Sequence, residues 1–270
     1  MSSFSTPQQI KDIAIEVGEK KAKTSLPAVL VLGFLAGAFI ALGFLLDIRV
    51  IGTAPKEWGS VVNLLGGAVF PVGLILTVLA GGELLTGNMM ALPMAWFARK
   101  IGFGSVLKNL ALVTIANFVG SVFVAYFFGH VVGLTEGAFL AKTTAIATAK
   151  INDSFLQAFV SGIGCNWLVC LAVWLAFGAK DFSGKIIGMW FPVMAFVAIG
   201  FQHVVANMFV IPAAIFSGQM TWGQYFPNFG AVFLGNLIGG MIFVAGAYFV
   251  AYRQPAGAPA LSKQGSQKSA

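Results

Sequence analysis

The chain has 270 residues, of which 58% are hydrophobic and only 9% are charged. A soluble chain carries roughly 25% charged residues, so this composition excludes an ordinary water-soluble globule and makes lipid the solvent for much of the surface. The formal net charge of +7 comes without an aromatic-basic patch, which argues against a nucleic-acid partner and leaves membrane topology as the meaning of the charge.

Residues 1–25 read as a cytoplasmic N-terminal amphipathic helix. Thr6 stands as N-cap, Pro7 takes the first helical position, and Ile10, Ile13, Ala14 and Val17 recur at helical spacing. Six windows follow that are long enough to cross a hydrocarbon core, which takes about 20 apolar residues. They run Leu26–Leu46, Val61–Leu79, Val106–Phe128, Phe155–Phe177, Ile186–Gly200 and Ala231–Tyr252. No signal peptide is expected ahead of the first. Residues 26–252 thus form a transmembrane domain, and residues 253–270 read as a disordered cytoplasmic tail.

Lys11, Lys20, Lys21, Lys23, Arg99, Lys100, Lys108, Lys180, Lys185, Arg253, Lys263 and Lys268 fall on one side of such a six-span chain. Arg49, Lys56, Lys142 and Lys150 fall on the other. The positive-inside rule then puts both termini in the cytoplasm. Cys165 and Cys170 have no histidine near them in sequence and fit no zinc spacing. They read as small buried apolar residues, and no metal or cofactor is expected.

The chain repeats. Asn88-Met89-Met90-Ala91-Leu92-Pro93 follows the second window, and Asn207-Met208-Phe209-Val210-Ile211-Pro212 follows the fifth at an offset of 119 residues. Asn117-Phe118-Val119-Gly120 matches Asn236-Leu237-Ile238-Gly239 at the same offset. The units, about 26–135 and 150–252, hold three spans each. Three is odd, so the second unit is inverted. Transporters and channels use this architecture, with the substrate path near the midplane.

The second and fifth windows do not end cleanly. Gly81 to Asn88 and Gly200 to Asn207 read as breaks, each followed by a half-helix whose positive end faces the centre and favours an anion. Asn88 and Asn207 are expected to cap these half-helices. His203 lies in one break and suits proton transfer to a weak-acid anion; Thr86 lies in the other and can share a hydrogen bond with it. Glu83, the only carboxylate in a predicted span when its break is counted, reads as structural, paired with backbone N–H groups or a cytoplasmic lysine. His130 reads as interfacial.

Three stretches resemble the formate/nitrite transporter family, over about residues 5–252. They are Ala80-Gly81-Gly82-Glu83-Leu84-Leu85-Thr86-Gly87-Asn88, Gly162-Ile163-Gly164-Cys165-Asn166-Trp167-Leu168-Val169-Cys170-Leu171-Ala172, and His203-Val204-Val205-Ala206-Asn207-Met208. The resemblance implies an all-α, aquaporin-like fold and a homopentamer in the plasma membrane, each protomer with its own pore. It also implies roles. His203 is similar to the family's central pore histidine and Thr86 to its partner. Asn166 and Asn207 are similar to pore-side asparagines, and Lys150 to an entrance lysine that attracts anions. Phe70, Phe196 and Val169 resemble the outer apolar constriction, and Leu74, Leu84 and Leu85 the inner one. Gln202 departs from the glutamate that many members carry before the histidine.

The expected activity is passage of a small monovalent weak-acid anion and a proton, with formate first and nitrite or hydrosulfide as alternatives. A bare anion meets a large desolvation cost at an apolar constriction and a neutral acid a much smaller one, so protonation near His203 would carry it through. A membrane-embedded enzyme pairing His203 with Glu83, and a neutral-solute channel, are the readings from other classes. No cofactor motif or nucleophile elbow supports an enzyme, and the Asn-Pro-Ala triplet of a neutral-solute channel is absent.

Overall fold

The computed structural model describes residues 4–253. Apart from Arg253, the tail expected at 253–270 lies outside the described residues. Among these the chain is helical throughout, with six helices long and apolar enough to span a bilayer.

Helix α1 (Pro7–Ala22) opens with a capping box: Thr6 Oγ1 accepts from the Gln9 N–H, and the Gln9 side-chain oxygen accepts from the Thr6 N–H at 2.8 Å. Its face of Ile10, Ala14 and Gly18 is buried. The first span is α2 (Leu26–Ile51). The second, Val61–Gly81, is built of α3 (Val61–Val69), α4 (Val72–Leu76) and a π-helical turn, Thr77–Gly81. It gives way to the half-helix α5 (Leu85–Phe97). The third span, Phe103–Val131, begins as α6 (Phe103–Phe123) and closes on a π-helical stretch.

The second half follows the same plan. Helix α7 (Leu140–Asn152) precedes the fourth span, α8 (Phe155–Gly178), and the fifth, α9 (Phe182–Ile199). The half-helix α10 (Val204–Phe216) comes next. The sixth span, Trp222–Ala251, joins α11 (Trp222–Ile238), a π-helical stretch and α12 (Ala247–Ala251).

The breaks are shorter than the sequence suggests. Gly81 turns with a φ of 103° and Gly200 with a φ of 88°, conformations that favour glycine. A few extended residues follow, and the half-helices start at Leu85 and Val204, so Asn88 and Asn207 sit in the first turn inside the helix. Two span edges also move. The sixth span begins at Trp222 rather than Ala231, because Thr221 and Gln224 form a capping box ahead of a polar stretch that lowers local hydropathy. The first runs past Leu46 to Ile51, which brings Asp47 into a span. Asp47 and Arg49 end the apolar window, but Arg49 lies over the Phe139 ring at 3.6 Å, so the helix continues.

Spans pack by backbone contact. A side chain on Gly120 would collide with the Phe34 carbonyl, and one on its repeat mate Gly239 with the Ile163 carbonyl. Small residues at these positions let helices associate where lipid supplies no hydrophobic drive. Both half-helices are buried almost entirely inside the bundle.

Candidate functional site

Each half-helix begins inside the bundle, where its first residues are buried. The third and sixth spans supply the partners for their first N–H groups. Asn117 Oδ1 accepts from the Leu85 N–H at 2.9 Å, and Asn236 Oδ1 accepts from the Val204 N–H at 2.9 Å. Their amide nitrogens donate to the last extended carbonyls, Asn117 to Glu83 at 2.8 Å and Asn236 to Gln202 at 3.0 Å. Each also ties to a neighbouring span through the carbonyl of Gly33 or Gly162. These two asparagines cap the half-helices, a role the sequence reading gave to Asn88 and Asn207. The cap must come from outside the helix's first turn, and Asn88 and Asn207 already lie within it.

Asn88 and Asn207 do a different job, again in duplicate. Asn88 Nδ2 donates to Glu83 Oε2 and Asn109 Oδ1, both at 2.8 Å. Asn207 Nδ2 donates to Gln202 Oε1 at 2.7 Å and Asn228 Oδ1 at 2.9 Å. Each pair of mates is separated by 119 residues. The network also reaches the amphipathic helices: Asn109 donates to the Lys21 carbonyl of α1, and Asn228 to the Lys150 carbonyl of α7. These two helices are thus held at matching places in the two halves.

The halves differ at one position. Glu83 pairs with Lys21 Nζ at 2.9 Å. Its mate Gln202 is neutral and uses its amide to donate to the Lys150 carbonyl at 3.0 Å and to Asp153 Oδ2 at 2.7 Å. A glutamate there could donate neither bond, so the departure at 202 goes with a carboxylate at 153. Lys150 turns its ammonium to the carbonyls of Gly200 (3.1 Å) and Phe201 (2.9 Å). Burial lowers its pKa, and the Asp153 and Asp47 carboxylates act against that shift.

His203 is the N-cap residue of α10. Its Nδ1 accepts from the Ala206 N–H at 3.0 Å. In the neutral imidazole the proton is therefore on Nε2, which lies 3.1 Å from Thr86 Oγ1 in the first turn of α5. The two half-helices meet at this contact. The Phe196 ring stacks on the imidazole with centroids 5.6 Å apart, and Phe70 meets Phe196 edge-on at 5.7 Å.

A cavity of about 370 Å³ reaches His203 past Phe70 and Phe196, with Asp47, Asn63, Lys142, Lys150 and Asp153 also on its walls. Thr86, Asn166, Val169, Leu74, Leu84 and Leu85 do not line it. All six are buried. Asn166 donates to the carbonyls of Asn236 (2.7 Å) and Thr86 (3.2 Å), and Cys170 Sγ contacts that same Thr86 carbonyl at 3.4 Å. Glu83 bonds Lys21 and Asn88 whereas His203 bonds Thr86 and Ala206, so the acid–base pair required by an embedded enzyme is not assembled. His130 pairs with Glu136 at the end of the third span. The sequence reading missed Asp47, Asn117, Asn236 and Lys21 as functional or network residues; the repeated Asn-x-x-Gly at 117 and 236 was the available signal for two of them.

A model of the family described as formate/nitrite transporter matches residues 8–250. The chain belongs to the formate/nitrite transporter family. It is 61% identical over 252 residues to "Formate channel BtFdhC" of Bacillus thuringiensis, covering 93% of this chain and 97% of that relative. Among solved structures it matches an "FNT family ion channel" with a TM-score of 0.85 at 30% identity, over 92% of this chain and 99% of the other. A second, "Pentameric formate channel with formate bound", matches with a TM-score of 0.75 at 30% identity, over 85% and 98%. The fold is the family's aquaporin-like one, six spans and two half-helices in two inverted repeats. The family's members in these comparisons are channels and transporters, and this chain is a multi-pass membrane protein.

Proposed function

We propose that this chain carries formate across the plasma membrane together with a proton, as a homopentamer with both termini in the cytoplasm. The relatives named as formate channels support the substrate, and the pentameric, formate-bound neighbour supports the assembly. The observation that carries the mechanism is the His203–Thr86 contact at the floor of a vestibule that holds two lysines.

The anion enters the vestibule, drawn by Lys142 and Lys150, and passes Phe70 and Phe196. Beyond them lie the apolar Leu74, Leu84 and Leu85, where the cost of a bare charge is large. Thr86 Oγ accepts from the His203 Nε2–H and keeps its own hydroxyl proton to offer to the anion. The anion, hydrogen-bonded at this site, takes a proton that follows it from solution through the vestibule, which leaves His203 and Thr86 as they were, and it passes the buried leucines Leu74, Leu84 and Leu85 as the neutral acid. The proton is released with the anion on the far side, so one proton crosses per anion.

Purified protein in proteoliposomes, compared for formate, nitrite and hydrosulfide across pH, tests this reading. Saturable formate uptake that rises as the external solution is acidified is expected. Formate flux no greater than that of protein-free vesicles would sink it.

A further inference from the structure

Asp47 has no part in the mechanism above, yet it is among the most costly groups in the molecule. It is 3% exposed, and its Oδ1 is buried without a hydrogen-bond partner. Among the described residues it makes no salt bridge. The fold makes room for it: a side chain on Gly66 of α3 would occupy the place of this oxygen. Asp47 also lines the vestibule one turn outward from Phe44, opposite Lys142 and Lys150 of α7.

The charges on that cavity close to zero. Lys142 and Lys150 contribute two positive charges, Asp47 and Asp153 two negative ones, and Gln202 none. Asp153 is committed to Gln202, which leaves Asp47 as the carboxylate with an unmet oxygen. The inner half has no equivalent. Gly33 and Gly162 are mates at an offset of 129 residues, which puts Ala176 where Asp47 would repeat. There the negative charge is Glu83, bound to Lys21. The outer half has glutamine at 202 and carries a carboxylate on α2.

We propose that Asp47 is the counter-charge of the outer vestibule, setting how tightly an incoming monovalent anion is held there. The inference rests on the anion-transport reading. Two uncompensated lysines beside an apolar constriction would bind an anion well and release it slowly, and conduction needs binding weak enough to leave. Asp47 opposes the anion with the same long-range field that draws it to the lysines. The group is a positioning charge and does not react.

The test is the concentration dependence of initial formate uptake into proteoliposomes at one fixed, mildly alkaline pH. Asp47→Asn keeps the shape and removes the charge. Its half-saturating formate concentration should fall about fivefold, since one unit charge at vestibule distances is worth on the order of 1 kcal/mol in a wet site, and its maximal rate should fall with it. Lys142→Gln should shift half-saturation upward. The double variant Asp47→Asn with Lys142→Gln, neutral again, should return to the wild-type value. Elution of each variant as the wild-type oligomer checks folding. Wild-type formate flux with half-saturation unchanged in Asp47→Asn, or a double variant that stays at the Asp47→Asn value, would overturn the inference alone. Wild-type vesicles without formate flux would overturn the transport reading and this inference with it.

Discussion

His203 Nε2 and Thr86 Oγ1 stand 3.1 Å apart, and the two residues belong to different inverted repeats. The contact joins the first turn of one half-helix to the cap of the other. Because Nδ1 is held by the Ala206 N–H, the proton at this junction belongs to Nε2, and the imidazole faces the path with one defined edge.

Thr86→Val keeps the branched shape and removes the hydroxyl. The Nε2–H then loses its acceptor in a buried site, and the anion loses the hydroxyl donor. Formate uptake should drop at least tenfold, while Thr86→Ser should keep most of it. Flux measured in proteoliposomes of matched protein content separates the two variants; equal rates for valine and serine would deny the hydroxyl a role.

Asn117 and Asn236 each satisfy one half-helix N–H and two carbonyls in the membrane interior. Leaving a buried polar group unmet costs about 1–3 kcal/mol. Asn117→Ala and Asn236→Ala should each lower the melting temperature in detergent by several degrees, and by similar amounts. Thermal unfolding followed by tryptophan fluorescence reads this. An unshifted transition in either variant would contradict the capping role.

Gln202→Glu would set a carboxylate against Asp153 and the Lys150 carbonyl, which now receive the two amide protons. Like charges in one buried site are destabilising. The single variant should melt lower and lose formate uptake, and adding Asp153→Asn should recover much of both. A Gln202→Glu protein as stable as wild type would show that the glutamate finds another partner.

Gly120→Ala would drive a methyl group into the Phe34 carbonyl of the first span. Neither backbone can retreat without disturbing the Asn117 bonds one turn away. The expected result is poor yield of folded oligomer and a broad, early elution in size-exclusion chromatography. Normal yield and elution would mean that the first and third spans can separate at no cost.

Much of the site was legible because its signals run along the chain. The two breaks show as glycine-rich interruptions of apolar windows, and the duplication shows as a fixed offset between Asn88 and Asn207. The pairing of Glu83 with a cytoplasmic lysine was also within reach, since a lone carboxylate among apolar residues demands a partner. The caps were harder. An asparagine that opens a half-helix motif looks like its cap, and only the true helix starts at Leu85 and Val204 show that the cap lies on another span. Asp47 escaped because it follows the last residue of an apolar window, where a charge reads as the helix leaving the membrane.

Six spans, an inverted duplication, two interrupted helices and a histidine at one interruption are readable along the chain alone. These follow from hydrophobicity and repetition, which are properties of neighbouring residues and of register. Beyond the expected Thr86–His203 contact, the atoms that meet are seen in the folded chain alone: Asn117 with Leu85, Lys21 as the particular lysine that takes Glu83, and Asp47 with the vestibule of Lys142 and Lys150. These pairings bring together residues on different helices. Each is one hydrogen bond or one charge, and a single bond between distant residues leaves no period in the sequence to read.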